Sequence, residues 1–230
     1  MIPLRDDQPC LSTPFFTYFL IALNLVIFLF EWQLGLESRG ALNALIGQFG
    51  VIPYHDIRVL SSNPVAAILP SFTSMFLHAS WGHVLGNMWM LWIFGDNIED
   101  YLGHFRYLVF YLLGGLAASF THIVFNIDSR APTVGASGAI AAVMGAYLIL
   151  YPRARVLTWF PPIFIFHVPA WLMLGYWALV QFLSGTATAI TESTRTVGVA
   201  FWAHVGGFAV GVLMIKLFPQ RQHRYRYGSW

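Results

Sequence analysis

Charged residues are distributed very unevenly along this 230-residue chain. Six stretches of 20 to 37 residues contain no Asp, Glu, Lys or Arg, and they lie at residues 8–30, 59–95, 107–127, 131–152, 156–191 and 196–215. A helix needs about 20 predominantly apolar residues to cross the hydrocarbon core of a bilayer. Each stretch can hold one such helix, because polar or proline-containing segments at 61–64 and 161–162 interrupt the two longest ones.

We therefore predict an all-α membrane protein, a single domain over residues 1–230 with six transmembrane helices. The expected helices lie roughly at 14–32, 81–101, 106–126, 137–151, 165–184 and 199–218. The composition agrees, because charged residues make up only 10% of the chain, whereas soluble domains contain ~25%. A net charge of +2 gives no basis for binding nucleic acid. Cys10 is the only cysteine, which excludes an internal disulfide and a Cys-based zinc site.

A shorter charge-free segment, residues 40–55, leaves two interpretations open. Leu42, Leu45 and Phe49 recur at helical spacing, which is typical of an amphipathic helix lying in the membrane interface. The glycines of this segment and Pro53 are equally compatible with a loop packed on the outer surface.

Lys and Arg are distributed asymmetrically between the two sides of the predicted bundle. An even number of spans places both termini on one side, and that side carries eight of the 12 Lys and Arg residues. Cytoplasmic loops are enriched in positive charge. We therefore expect both termini in the cytoplasm, and we expect the membrane to be the bacterial inner membrane.

Four polar side chains fall inside the predicted spans at similar depth. His83 and Asn87 lie in the first half of the second span, Ser137 opens the fourth, and His204 lies in the first half of the sixth. These three spans run in the same direction, so the four side chains share one half of the bilayer. Polar groups at membrane depth are costly and usually functional.

Small residues at every fourth position predict close packing of the fourth and sixth spans, because membrane helices approach each other through such stripes. The two stripes consist of Ser137, Ala141 and Gly145 and of Ala203, Gly207 and Gly211. This contact would bring Ser137 next to His204.

A serine hydroxyl beside an imidazole is a nucleophile with its general base. Free N–H groups at the N-terminus of the fourth helix could bind an oxyanion next to Ser137. Asn87 and His83 are four residues apart and share one helix face, so they could supply further donors. The pattern indicates a hydrolase with a Ser137–His204 dyad, while a serine that only caps a helix and a histidine with a structural or transport role remain alternatives.

Three motifs together resemble those of the rhomboid intramembrane serine proteases, over roughly residues 70–215. They are Gly135-Ala136-Ser137-Gly138, His83-Val84-Leu85-Gly86-Asn87 and Ala203-His204-Val205-Gly206-Gly207 with Gly211. The resemblance implies that Ser137 is the nucleophile and His204 the base. It also implies an oxyanion hole formed by Asn87, His83 and the backbone N–H of Ser137.

The resemblance further implies a six-helix bundle whose short fourth helix lies below a water-filled cavity. The implied reaction is hydrolysis of peptide bonds in or near transmembrane segments of substrate proteins. Such substrates would enter from the lipid bilayer past the fifth helix, and the loop 185–197 would cap the cavity. Trp177 and Phe182, in the second half of that helix, are large enough to gate the entry, and contact with lipid is the alternative role for both. Water is then the second substrate, and no metal or other cofactor is needed.

Two further residues, His78 and Glu99, match family positions to which we assign structural roles. The sequence departs from the family four residues after the nucleophile, where some members have a tyrosine that stacks on the catalytic histidine. That position is Ala141 here, so the sequence does not indicate which group orients His204.

The main alternative is a catalytically inactive rhomboid-like protein that binds membrane clients, although such proteins usually lose the serine or the histidine and this chain keeps both. A small-solute transporter would require inverted repeats, which the sequence lacks. A zinc protease would require His-Glu-Xaa-Xaa-His on a helix, and that string is absent. An aspartyl protease would require aspartates in two spans, whereas Asp96 and Asp100 lie at the end of one.

Overall fold

The computed structural model describes residues 1–190 and 200–221, and this part of the chain is mostly helical. The helices are α1 (Phe15–Glu37), α2 (Arg39–Phe49), α3 (Pro53–Val59), α4 (Pro64–Thr73), α5 (Trp81–Leu102), α6 (His104–Phe125), α7 (Ser137–Leu150), α8 (Ala170–Ile190) and α9 (Phe201–Met214). The strands are β1 (Ile2–Arg5), β2 (Arg155–Phe160) and β3 (Phe164–Pro169). Short 3-10 turns follow α4 and α9, at Ser74–Phe76 and Ile215–Leu217.

Local capping residues set the ends of α5. At its N-terminus, the Ser80 side chain accepts a hydrogen bond of 3.2 Å from the backbone N–H of His83, which satisfies one of the unpaired donors of the first turn. At its C-terminus, Gly103 has φ of 78°, a left-handed conformation that glycine adopts without steric cost. The boundaries of this helix are therefore encoded in the adjacent sequence.

Five of the six predicted spans correspond to helices α1, α5, α6, α7 and α9, with ends that differ by at most five residues. In the described part of the chain, two helices, α1 and α6, are long and apolar enough to cross a membrane by length and composition. Shorter apolar helices include α7 and the α9 region. The predicted count of six spans is therefore not confirmed.

A three-stranded antiparallel sheet corrects the prediction of an all-α fold. Its strand order is β1-β2-β3, and β2 and β3 pair along their whole length. Because β3 occupies 164–169, the helix predicted at 165–184 begins only at Ala170. The sequence does contain a pattern typical of the β2–β3 hairpin, since Pro161-Pro162 separates two short runs rich in β-branched and aromatic residues.

The segment 40–55 is largely helical, with α2 and α3 meeting at Gly50 and Val51. A Cβ at Gly50 would lie 3.2 Å from Cγ1 of Val134. Val51 forms an isolated antiparallel bridge with Thr133, with N–H···O distances of 3.0 and 2.8 Å. These contacts attach the segment to the loop that leads into α7.

Helix α7 occupies the centre of the bundle, and all its residues from Gly138 to Tyr147 are buried. Small residues let α9 approach it closely: a Cβ at Gly211 would overlap the carbonyl oxygen of Ala142, and one at Gly145 would overlap that of Phe208. The close contact predicted between the fourth and sixth spans is therefore present, as α7 against α9. Large apolar side chains are exposed on outer helix faces, as expected for contact with lipid.

Candidate active site

A left-handed turn leads into Ser137, the first residue of α7. Gly135 has φ of 129°, and its N–H donates a 2.8 Å hydrogen bond to the carbonyl oxygen of Ser74. A Cβ at Gly135 would lie 2.7 Å from two ring atoms of His83. Glycine is therefore required both for the backbone conformation and for the close approach of the histidine.

His204, on α9, faces Ser137 across the interface between α7 and α9. Its Nε2 lies 2.7 Å from Ser137 Oγ, although the two residues are 67 positions apart in the chain. The approach depends on Gly207, where a Cβ would overlap the carbonyl oxygen of Gly138. An imidazole nitrogen at this distance can accept the hydroxyl proton, so the pair has the geometry of a nucleophile and its general base.

The other side of the His204 ring is held by α8. His204 Nδ1 lies 2.7 Å from Gln181 Oε1, and the Trp177 ring is 5.7 Å from the imidazole at an interplanar angle of 36°. Gln181 was not predicted from the sequence, because the usual third member of a serine–histidine site is an acidic residue. The sequence feature that could have indicated Gln181 is its position, since it is an uncharged polar residue inside the charge-free stretch 156–191 and lies one helical turn after Trp177.

Asn87 and His83 lie on α5 beside the turn that leads into Ser137, because a Cβ at Gly135 would be 3.6 Å from Asn87 Nδ2 and 2.7 Å from the His83 ring, and all three side chains line one cavity. Asn87 Nδ2 is 3.0 Å from His78 Nε2, and the rings of His78 and His83 meet edge to face with centroids 5.1 Å apart. Burial and the neighbouring His83 lower the pKa of His78 to about 3, so its ring is neutral and can accept from the amide. An amide carries two N–H donors, which leaves Asn87 one for the cavity.

The cavity beside these side chains has a volume of about 840 Å³, within the range of small-molecule and cofactor sites. Ser137, His204, Asn87 and His83 form its polar end, and the rest of the lining is mostly apolar. Residues 1–4 contribute to that lining, and the carbonyl oxygen of Pro3 in β1 accepts a 2.6 Å hydrogen bond from the indole N–H of a tryptophan on α5. The site thus combines a polar reacting end with an apolar wall that suits apolar side chains.

Glu99 has a contact pattern that fits the structural role expected for it. Its buried carboxylate accepts hydrogen bonds of 2.9 and 2.7 Å from the N–H groups of Phe16 and Thr17 at the start of α1. It also accepts a 2.8 Å bond from the Thr17 hydroxyl and lies 2.6 Å from His104 Nδ1. Glu99 therefore ties the first turn of α1 to the end of α5.

The structure separates the two aromatic residues that were expected to gate the cavity. Trp177 lines it, whereas Phe182 packs against the ring of Trp202 with centroids 6.2 Å apart. The loop predicted to cap the cavity, 185–197, begins inside α8, and its residues 191–197 lie outside the described residues. Within the described ranges, no three His, Cys, Asp or Glu side chains converge to hold a metal ion.

Comparisons with known proteins agree with the resemblance noted from the motifs. The family model of the Rhomboid domain matches residues 67–221. The mouse presenilin-associated rhomboid-like protein, mitochondrial, is 35% identical over 133 residues, which cover 55% of this chain and 35% of the mouse protein. Rhomboid protein 1, mitochondrial, of Saccharomyces cerevisiae is 31% identical over 183 residues, 75% of this chain and 50% of the yeast protein.

A further relative, the RHOMBOID-like protein 12, mitochondrial, of Arabidopsis thaliana, is 32% identical over 158 residues, 61% of this chain and 44% of the plant protein. This chain thus spans between about a third and a half of the length of these three relatives.

The relatives overturn the predicted location. Their names are those of mitochondrial proteins, so the prediction of a bacterial inner membrane with both termini in the cytoplasm is contradicted. The distribution of Lys and Arg could not predict the identity of the membrane. An excess of Lys and Arg on one side orients the chain relative to a bilayer, and it carries no information about which membrane that bilayer is.

Proposed function

Because the chain belongs to the rhomboid family, we propose that it is an intramembrane serine endopeptidase that cleaves peptide bonds in or near transmembrane segments of other proteins. One observation carries this proposal: Ser137 Oγ and His204 Nε2 lie 2.7 Å apart at the polar end of an otherwise mainly apolar cavity. The mitochondrial names of the relatives support a mitochondrial membrane as the location.

In the proposed first half-reaction, Ser137 Oγ attacks the carbonyl carbon of the scissile bond while His204 Nε2 takes the hydroxyl proton. The oxyanion that forms is stabilised by the N–H of Ser137 at the start of α7 and by the Asn87 amide, with His83 as a further donor. His204 then gives its proton to the leaving amine, which leaves an acyl group on Ser137. Water, activated by His204 as base, hydrolyses that ester and restores the free hydroxyl.

The proposed substrates are transmembrane proteins that reach the site from the lipid bilayer. The mostly apolar lining beside the reacting pair supports this class, because it suits the apolar side chains of a transmembrane segment. No cofactor is part of the proposed reaction, since the serine and the histidine supply the nucleophile and the proton transfers.

The proposal is tested with the purified chain in liposomes that contain a single-span membrane substrate. The wild type is expected to cleave the substrate and to react with a fluorophosphonate probe, which labels activated serines. Ser137→Ala should abolish both signals, and His204→Ala nearly so, because the members of a nucleophile–base unit fail together. The matched control is Ser62→Ala, which changes an exposed serine and should behave as wild type.

Labelling and cleavage that survive in Ser137→Ala would contradict the proposal. A wild type that binds the substrate but neither cleaves it nor takes up the probe would favour the alternative, an inactive rhomboid-like protein that binds membrane clients.

A further inference from the structure

The imidazole of His204 must present an unprotonated Nε2 to Ser137 before it can act as a base. A neutral imidazole carries its proton on one nitrogen only, and the partner of the other nitrogen decides which tautomer is present. The partner of Nδ1 is Gln181 Oε1, at 2.7 Å. An amide oxygen only accepts hydrogen bonds, so this contact requires the proton on Nδ1 and leaves the Nε2 lone pair free for the serine hydroxyl at 2.7 Å.

We propose that Gln181 is a positioning residue for the reaction, which holds His204 in the tautomer and orientation that make it a base toward Ser137. The inference rests on the proposed function and adds a third member to its site. Gln181 acts through His204, and the resulting hydrogen-bonded chain runs from the Gln181 amide through the imidazole to the Ser137 hydroxyl.

Helix α8, and not α7, supplies the side chains that position His204. Ala141 is fully buried and has only a methyl group, so α7 offers no ring to stack on His204. Trp177, one turn before Gln181 on α8, instead places its indole 5.7 Å from the imidazole. The ring is thus bounded by an aromatic face and a hydrogen-bond acceptor from the same helix, which restricts both its tilt and its rotation.

The titratable groups near His204 cannot replace Gln181 as the hydrogen-bond acceptor that orients its ring. The titratable groups that act on His204 in the described part of the chain are His83 on α5 and His122 on α6. Both are imidazoles, and neither can stabilise a positive charge on His204 as a carboxylate would. The amide of Gln181 therefore orients the base without adding a negative charge to the site.

Two substitutions separate a positioning role from a merely structural one. Gln181→Met keeps the length and volume of the side chain and removes the acceptor. Gln181→Glu keeps an acceptor oxygen and adds a negative charge beside Nδ1. The matched control is Leu179→Met, which introduces the same side chain at an exposed position of the same helix, 53% accessible.

The experiment measures kcat, KM and the pH profile of kcat for cleavage of a single-span substrate in liposomes, together with the thermal unfolding of each variant. Gln181→Met is expected to lower kcat by about 10–100-fold with KM changed by less than about twofold, because only part of the 10²–10⁴-fold gain from general-base catalysis is lost. Gln181→Glu is expected to retain kcat at alkaline pH, with the acidic limb moved up by about one pH unit or more, because a carboxylate favours the imidazolium. Leu179→Met should match the wild type.

The inference is overturned if Gln181→Met keeps the wild-type kcat, or if both variants lose activity equally with an unchanged pH profile. The proposed function is judged separately, by wild-type cleavage that Ser137→Ala abolishes. A wild type that cleaves while Gln181→Met is unaffected would therefore reject the positioning role and leave the proposed function standing.

Discussion

Replacing Gly207 by alanine is expected to force apart the two helices that carry the reacting side chains. A Cβ at Gly207 overlaps the carbonyl oxygen of Gly138, and it lies 3.1 Å from the carbonyl carbon of that residue and 3.3 Å from Cβ of Ala118. These neighbours are backbone atoms and a methyl group inside packed helices, so they cannot rotate out of the way. Overpacking of this kind costs about 1–3 kcal/mol in the free energy of unfolding.

The same displacement acts directly on catalysis. Gly138 follows Ser137 and Gly207 lies one turn after His204, so a shift of α9 away from α7 lengthens the 2.7 Å contact between Ser137 Oγ and His204 Nε2. A misplacement of about 1 Å can cost about 10²-fold in rate. We therefore expect Gly207→Ala to lose about 10²-fold in cleavage rate at temperatures where the protein is still folded.

The assay combines thermal unfolding in detergent with initial cleavage rates measured well below the unfolding temperature. The matched control is Gly175→Ala on α8, where a Cβ would have no described atom within 4 Å. Alanine is about 0.5–1 kcal/mol more favourable than glycine inside a helix, so the control should be at least as stable as the wild type and equally active.

Wild-type stability and activity in Gly207→Ala would refute the reasoning, because the added methyl group would then be accommodated without separating α7 and α9. Equal losses in Gly175→Ala would refute it as well, since they would show that the effect does not depend on the overlap with Gly138.

Three further predictions concern the residues around the dyad and the frame that holds them. Asn87→Ala should lower the cleavage rate by about 10²–10³-fold through loss of an oxyanion donor. It should also lower the melting temperature, because His78 loses its 3.0 Å partner. His83→Ala should lower the cleavage rate less than Asn87→Ala does, and an equal or larger loss of rate would contradict its secondary role. Glu99→Ala should lower the free energy of unfolding by about 1–3 kcal/mol, because N–H donors at the start of α1 are left unpaired. A wild-type free energy of unfolding in this variant would count against the structural role of the carboxylate. EDTA should leave cleavage unchanged, because the proposed reaction needs only the serine and the histidine; activity lost in EDTA and restored by zinc would argue against the dyad.

Local patterns in the sequence predicted the helices that surround the site. Charge-free stretches predicted α1, α5, α6, α7 and α9. Small residues at every fourth position predicted the α7–α9 contact, because this spacing places them on one face of each helix. The family assignment followed from motifs on α5 and α9 and at the start of α7, and it is confirmed by the Rhomboid domain match. The assignment of catalytic roles to Ser137 and His204 stays a prediction, which the proposed experiments test.

The features that the sequence did not predict are those formed between distant segments. The sheet joins β1 near residue 3 to β2 near residue 158, and pairing across such a separation leaves no local period in the sequence. The β2–β3 hairpin was not predicted because the helix expected at 165–184 overlaps β3, and apolar content without charges is compatible with either a strand or a helix. The membrane was assigned wrongly, since the distribution of Lys and Arg reports orientation in a bilayer and not its identity.

The sequence by itself determined where five of the apolar helices lie, because hydrophobicity and helical periodicity are properties of neighbouring residues. That His83, Asn87, Ser137 and His204 share one depth in the bilayer stays a prediction. Only the tertiary structure decided which partner orients His204. Gln181 is 23 positions away from it, on another helix, and an amide becomes an acceptor for that imidazole only once the packing of α8 against α9 has brought the two side chains within 2.7 Å.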